Sequence, residues 1–185
     1  MSDHVKISPN AFVYPMPMTI VSSVVDGRVN HLAAAWINRC NPNPPLLSVA
    51  LGKSHMTNRG IHQTGEFAVS IPPSELVKEV DQVGLVTGKT IDKSGFFPLF
   101  YGCLPNAPMV KSCPVTMACR VRQVVELPSD ELFIAEIIEA YALDSCLSDG
   151  KPDIRLIDPI LLTMPDNNYW RAGEHLAKAW KIGRG

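Results

Sequence analysis

Sixteen prolines punctuate this chain, clustered at 15–17, 42–45 and 72–73 and spaced singly from 98 onward. Proline lacks a backbone N–H and is excluded from the interiors of helices and central strands. The intervals between these prolines are therefore short, and many are rich in β-branched or alternating residues. That pattern predicts short strands joined by shaped loops, closed into a barrel or sandwich.

The individual segments follow. Residues 18–25 (MTIVSSVV) form a strand ending at Asp26-Gly27, a strong hairpin turn, and 29–36 return as its partner. Residues 46–51 are almost all apolar and read as a strand buried on both faces. Residues 57–64 read as a short helix closed by Gly65, and 66–71 as a strand stopped by Pro72-Pro73. Residues 74–83 carry Leu76, Val77, Val80 and Val83 at helical spacing, with Ser74 as cap.

The stretch 84–109 has no clear period and reads as an excursion outside the core, rich in aromatics (Phe96, Phe97, Phe100, Tyr101). Residues 114–127 alternate as a half-exposed strand. Pro128-Ser129-Asp130 implies a hairpin to 131–143, although Glu136 and Glu139 fall on opposite parities and a helix would fit them equally. A polar loop at 144–153, a final strand at 155–162 and an amphipathic helix at 173–180 complete the chain.

Composition excludes several classes of function. The 185 residues suffice for one domain, and seventeen basic against eighteen acidic side chains give a net charge of −1. A general nucleic-acid or membrane-surface binder needs a basic excess. No apolar run approaches the ~18 residues of a membrane span. The N-terminal stretch carries charge where a signal peptide needs an apolar core. Five cysteines without a Cys-x-x-Cys pair fit a reducing interior, so a cytoplasmic protein is expected, with no structural zinc.

Candidate chemistry concentrates in 30–67. Gly84 to Thr90 looks at first like a phosphate loop, but three residues separate its glycines where that motif needs four. The run Ala33-Ala34-Ala35-Trp36 reads either as a strand end with a core tryptophan or as an apolar slot for a flat ring. A polar bend follows at 38–43, where Asn38 and Asn41 either shape the turn or bond a ligand's hydroxyls. Gly52-Lys53-Ser54-His55-Met56-Thr57 leads into the short helix. Ser54 or Thr57 can cap it, and a helix N-terminus attracts anions, with Lys53 or Arg59 nearby to neutralise them. His55 and His62 lack a third metal ligand. No Ser/His/Asp set or paired carboxylate stands out, and no cysteine has a clear activating role.

The ordered set AAAW, polar bend, PPLLSVAL, SHMT, IHQTGEFAVSIP, TGKTIDKSG (87–95) and NNYWRAGEHLAKAW (167–180) resembles the flavin reductase-like family, in its flavoredoxin branch. The resemblance covers most of the chain. It implies a mainly β fold, the FMN-binding split β-barrel of Greek-key type with a few short peripheral helices, as one domain over 1–185. It also implies FMN rather than FAD, a homodimer with the flavin near the subunit interface, and electrons drawn from NAD(P)H or a redox protein. On this resemblance the cofactor site comprises Ala34, Ala35, Trp36, Ile37, Asn38, Asn41, Ser54, His55, Thr57, Lys93 and Tyr169. Without the resemblance, Lys93 would read as a solvated loop charge. The rival reading is a flavin- or haem-binding carrier without turnover of its own.

Overall fold

The computed structural model describes residues 3–184. Its first elements are β1 (Met16–Pro17), β2 (Thr19–Val25), β3 (Arg28–Ala34), β4 (Ile37–Asn41) and β5 (Leu46–Gly52). The Asp26-Gly27 turn has positive φ at both residues, 50° and 76°, which suits the twist of the β2–β3 hairpin. Next come α1 (Met56–Thr64) and β6 (Glu66–Ile71), separated by Gly65 in the left-handed region at φ 69°. A single 3-10 turn leads into α2 (Val77–Leu85). The small pair β7 (Leu99–Phe100) and β8 (Met109–Val110) precedes the long hairpin β9 (Val115–Glu126) and β10 (Asp130–Ala142). The chain then forms β11 (Leu147–Ser148), β12 (Lys151–Pro152), α3 (Ile154–Ile157), β13 (Leu161–Thr163) and β14 (Asn168–Trp170).

Seven strands make one antiparallel sheet in the order β3-β2-β6-β9-β10-β5-β4. Its inner face packs Val21, Leu32, Val49, Phe67 and Phe133 against Ile61 of α1. A second sheet, β1-β13-β14, lies beside the strand-to-helix cluster of Ile20, Val80, Val83, Phe97 and Ile160.

Six segments differ from the sequence reading, each for a physical reason. The polar bend at 38–43 is mostly strand, because Ile37, Asn38 and Arg39 pair with Val49, Ser48 and Leu47 along a sheet edge where polar side chains are solvated. β5 is not buried on both faces; Leu47, Val49 and Leu51 are buried and the alternate residues half-buried. The stretch 84–109 is not an excursion. Phe97 joins the second cluster, while Leu104, Ala107 and Met109 cover Ala68 and Ala118 on the outer face of β6 and β9. For the same reason the first half of β9 is buried on both sides, Thr116 included. Residues 155–162 split into helix α3, capped by Asp153 accepting from the Arg155 N–H, and a three-residue strand. Residues 173–180 form no helix; Leu176 and Trp180 stand exposed with nothing to pack against.

The β9–β10 hairpin settles the choice at 131–143. A bulge between Ile137 and Glu139 leaves Glu136 opposite Arg120 and Glu139 opposite Ala118. Two residues of equal parity on β9 thus face the two glutamates, so both lie on one side of the sheet.

Helix α1 is seated directly on β2. A Cβ at Gly60 would stand 2.5 Å from Ser23 Oγ and 2.7 Å from the Val24 carbonyl oxygen. Gly60→Ala is expected to cost about 1–3 kcal/mol through forced displacement of the helix. The check is the urea midpoint of unfolding; an unchanged midpoint would mean that α1 can lift off β2 freely.

Candidate functional site

The N-terminus of α1 is the first part of the site. A helix leaves its first N–H groups without intrahelical partners, and a side-chain cap normally serves one of them. Here His55 occupies the cap position and its side chain makes no capping bond. Neither Ser54 nor Thr57 caps the helix, against the sequence expectation. Ser54 is exposed in the preceding turn. Thr57 is the second residue of the helix and is fully buried, its hydroxyl oxygen accepting from Asn30 Nδ2 at 2.8 Å while its carbonyl accepts from Ser23 Oγ at 3.1 Å. The β2–β3 hairpin thereby holds the open helix end in place.

Beside that end lies a cavity of about 390 Å³, lined by Arg28, Lys89 and Lys93 together with Asp26 and Asp92, and by Asn30, Met56 and Gly88. Lys93 is only 3% exposed. Its ammonium donates to the carbonyl oxygens of His31 at 3.0 Å and Val83 at 2.9 Å, tying edge strand β3 to the last turn of α2. Burial lowers its pKa. The solvated-charge reading of this lysine is therefore wrong. His55 lies within reach of Lys93, Lys89 and Asp130; desolvation first, then the Lys93 charge, lowers its pKa. Lys53 and Arg59 do not serve this cavity as the sequence suggested. Lys53 pairs with Glu126 at 2.9 Å and Arg59 with Asp26 at 2.8 Å.

At the other end of β3 a second cavity, about 470 Å³, is lined by Ala35, Trp36, Ile37 and Asn38 against Phe12, Pro15, Met16 and Pro17. Trp36 is 46% exposed, so it is a wall of this slot and not a core residue. Its ring faces Phe12 at a centroid distance of 6.4 Å. Asn30 and Ala34 are four residues apart on one strand, roughly 13 Å at about 3.3 Å per residue. The two cavities thus sit one strand length apart, one apolar and one basic.

Other expected site residues lie elsewhere. Ala34 is buried beneath the slot, its carbonyl accepting from Thr19 Oγ1 at 2.7 Å. Asn41 Nδ2 donates to the Pro44 carbonyl at 2.8 Å, a turn-forming role. Tyr169 donates to Asp81 at 2.9 Å and stands two strands from β1. Asn30, Arg28, Lys89 and Phe12 escaped sequence reading. Only the neighbourhood of a turn or strand end marked them, and that signal is common to many surface residues.

The cysteines are quiet. Burial pushes the Cys113 and Cys119 thiols up to about 12. Cys103 bonds Glu139, which also raises its pKa. Among the described residues no group of three His, Cys, Asp or Glu is placed to hold a metal, and no helix is long and apolar enough to cross a membrane.

The flavin reductase like domain model matches residues 11–158. Flavoredoxin from Methanosarcina acetivorans superposes with a TM-score of 0.97 at 46% identity, over 99% of this chain and 98% of that one. Flavoredoxin of Desulfovibrio vulgaris (Miyazaki F) gives 0.88 at 34% identity, over 97% and 100%. An FMN-binding protein from Thermus thermophilus is 22% identical with a TM-score of 0.81 over 96% and 100%, a likeness of fold. The fold is a mainly β split barrel with few helices. With most of its length matched, this chain belongs to the flavin reductase-like family.

Proposed function

We propose that the protein is an FMN-binding flavoprotein that takes electrons from NAD(P)H or a protein donor and passes them on. The observation that carries this reading is the pairing of an uncapped helix end beside Arg28, Lys89 and Lys93 with an apolar slot walled by Trp36, one strand apart. A phosphate suits the first and a flat ring the second. When bound, the flavin supplies the electron- and hydride-accepting chemistry, which explains why few protein acids or bases are needed.

In this reading Ser54, His55 and the backbone N–H groups of α1 receive the phosphate, with Thr57 acting through its backbone. Lys89 and Lys93 supply positive charge. Ala35, Trp36, Ile37 and Asn38 hold the ring and its pyrimidine edge, supported from beneath by Ala34. Asn41 and Tyr169 take no part, since their polar atoms already serve a turn and Asp81. FMN is preferred to FAD because one basic cavity suits one phosphate.

The protein works in this reading as a homodimer. Exposed Val13, Leu176, Trp180 and Ile182 on its two terminal arms favour an apolar partner surface. Among the aromatics of 84–109, Phe97 is buried within the chain while Tyr101 is exposed.

The test is to release the chromophore from purified protein by heat denaturation, then follow NADH oxidation under air. FMN in the supernatant with NADH consumption supports a reductase. FMN without consumption favours the carrier reading, and a colourless protein that binds no added flavin overturns both.

A further inference from the structure

We propose that Asn30 is the positioning residue that makes this site select the phosphorylated end of the flavin, with Gly88 as the neighbour it requires. The inference rests on the flavin reading above. Asn30 is 6% exposed, yet it lines the basic cavity. One end of its amide donates to Thr57 Oγ1 at 2.8 Å. The other end lies against Gly88, so close that a Cβ on that residue would stand 2.1 Å from Asn30 Oδ1 and 3.4 Å from Met56 Cβ.

This one buried side chain therefore touches three elements: its own strand β3, the first turn of α1, and the loop that carries Lys89 and Lys93. An amide is suited to the task because it offers donors and an acceptor without a charge to neutralise. A carboxylate here would oppose an anion in the cavity, and a methyl would leave the Thr57 hydroxyl without a donor. Gly88 is needed for space, since its α-carbon sits where the amide oxygen would meet any side chain. Asp26 also lines the cavity and pairs with Arg59 on α1, whereas Asn30 both bonds Thr57 and lies against Gly88 of the lysine loop. Loss of Asn30 should therefore let the lysine loop and the helix end move independently. The ring slot, a strand length away, should keep its shape.

The experiment compares FMN and riboflavin, the same ring with and without phosphate, by fluorescence titration of wild-type protein, Asn30→Ala, Asn30→Asp and Gly88→Ala. FMN affinity is expected to fall by about tenfold or more in each variant, the scale of one lost hydrogen bond to a charged group. Riboflavin affinity should stay within about twofold of wild type. Asn30→Asp keeps the side chain's shape, so a folding defect in Asn30→Ala does not remove the test; it should lose most, and more at low ionic strength. Equal weakening of both flavins would mean a merely structural Asn30, and unchanged FMN affinity would mean no role; either overturns the proposal. Wild-type protein that binds neither flavin would instead overturn the flavin reading itself.

Discussion

The folded protein should lose about 3 kcal/mol of stability through His31 alone as pH falls from 6.5 to about 4. His31 is fully buried on β3, its Nδ1 bonded to Ser22 Oγ at 2.7 Å and its Nε2 without a partner. Desolvation first, and the Lys93 charge second, lower its pKa to about 4. The unfolded imidazole accepts a proton near 6.5, whereas the folded one refuses it until about 4. Between those values the unfolded chain binds more protons, so acidification favours unfolding. The stabilisation is complete above 6.5 and is lost on the way down to 4. Urea midpoints at the two ends of this window, for wild type and His31→Gln, isolate the effect, because the carboxylates titrate alike in both. Parallel pH profiles would contradict it.

Lys93→Met should destabilise the protein by roughly 2–5 kcal/mol. The substitution leaves two buried carbonyls, those of His31 and Val83, without their donor, at about 1–3 kcal/mol each, and the methionine's apolar burial offsets only part. The same change removes the charge that helps depress His31, so the acid loss described above should shrink as well. The two effects share a contact and will not add. Denaturant melts across the same pH window read both. A variant as stable as wild type would mean that water replaces the ammonium at those carbonyls.

These two residues also mark where the sequence stops being informative. The β2–β3 hairpin, β6 and α1 were legible because each carries its own signal: Asp26-Gly27, Pro72-Pro73 and Gly65 punctuate clean periods. Residues 84–109 lack a period because their apolar groups answer to the outer faces of β6 and β9, a pairing that no local pattern records. Lys93 looked solvated for the same reason, since its partners lie 62 and 10 positions back along the chain. Within the site, Ala35, Trp36 and Asn38 could be read as one cluster because they fall within four positions at the junction of β3 and β4. The basic cavity could not, because it is assembled from β3, α1 and the Gly88–Lys93 loop. The helix expected at 173–180 failed in the opposite way: the period is present, but its large apolar residues Leu176 and Trp180 stand exposed.

The proposed ring site and the proposed phosphate site lie at opposite ends of β3. Titrating wild-type protein with FMN and with riboflavin at low and at high ionic strength tests this arrangement most directly. FMN should bind more tightly than riboflavin at low salt, and added salt should weaken FMN while leaving riboflavin nearly unchanged. Equal affinities with the same response to salt would contradict it.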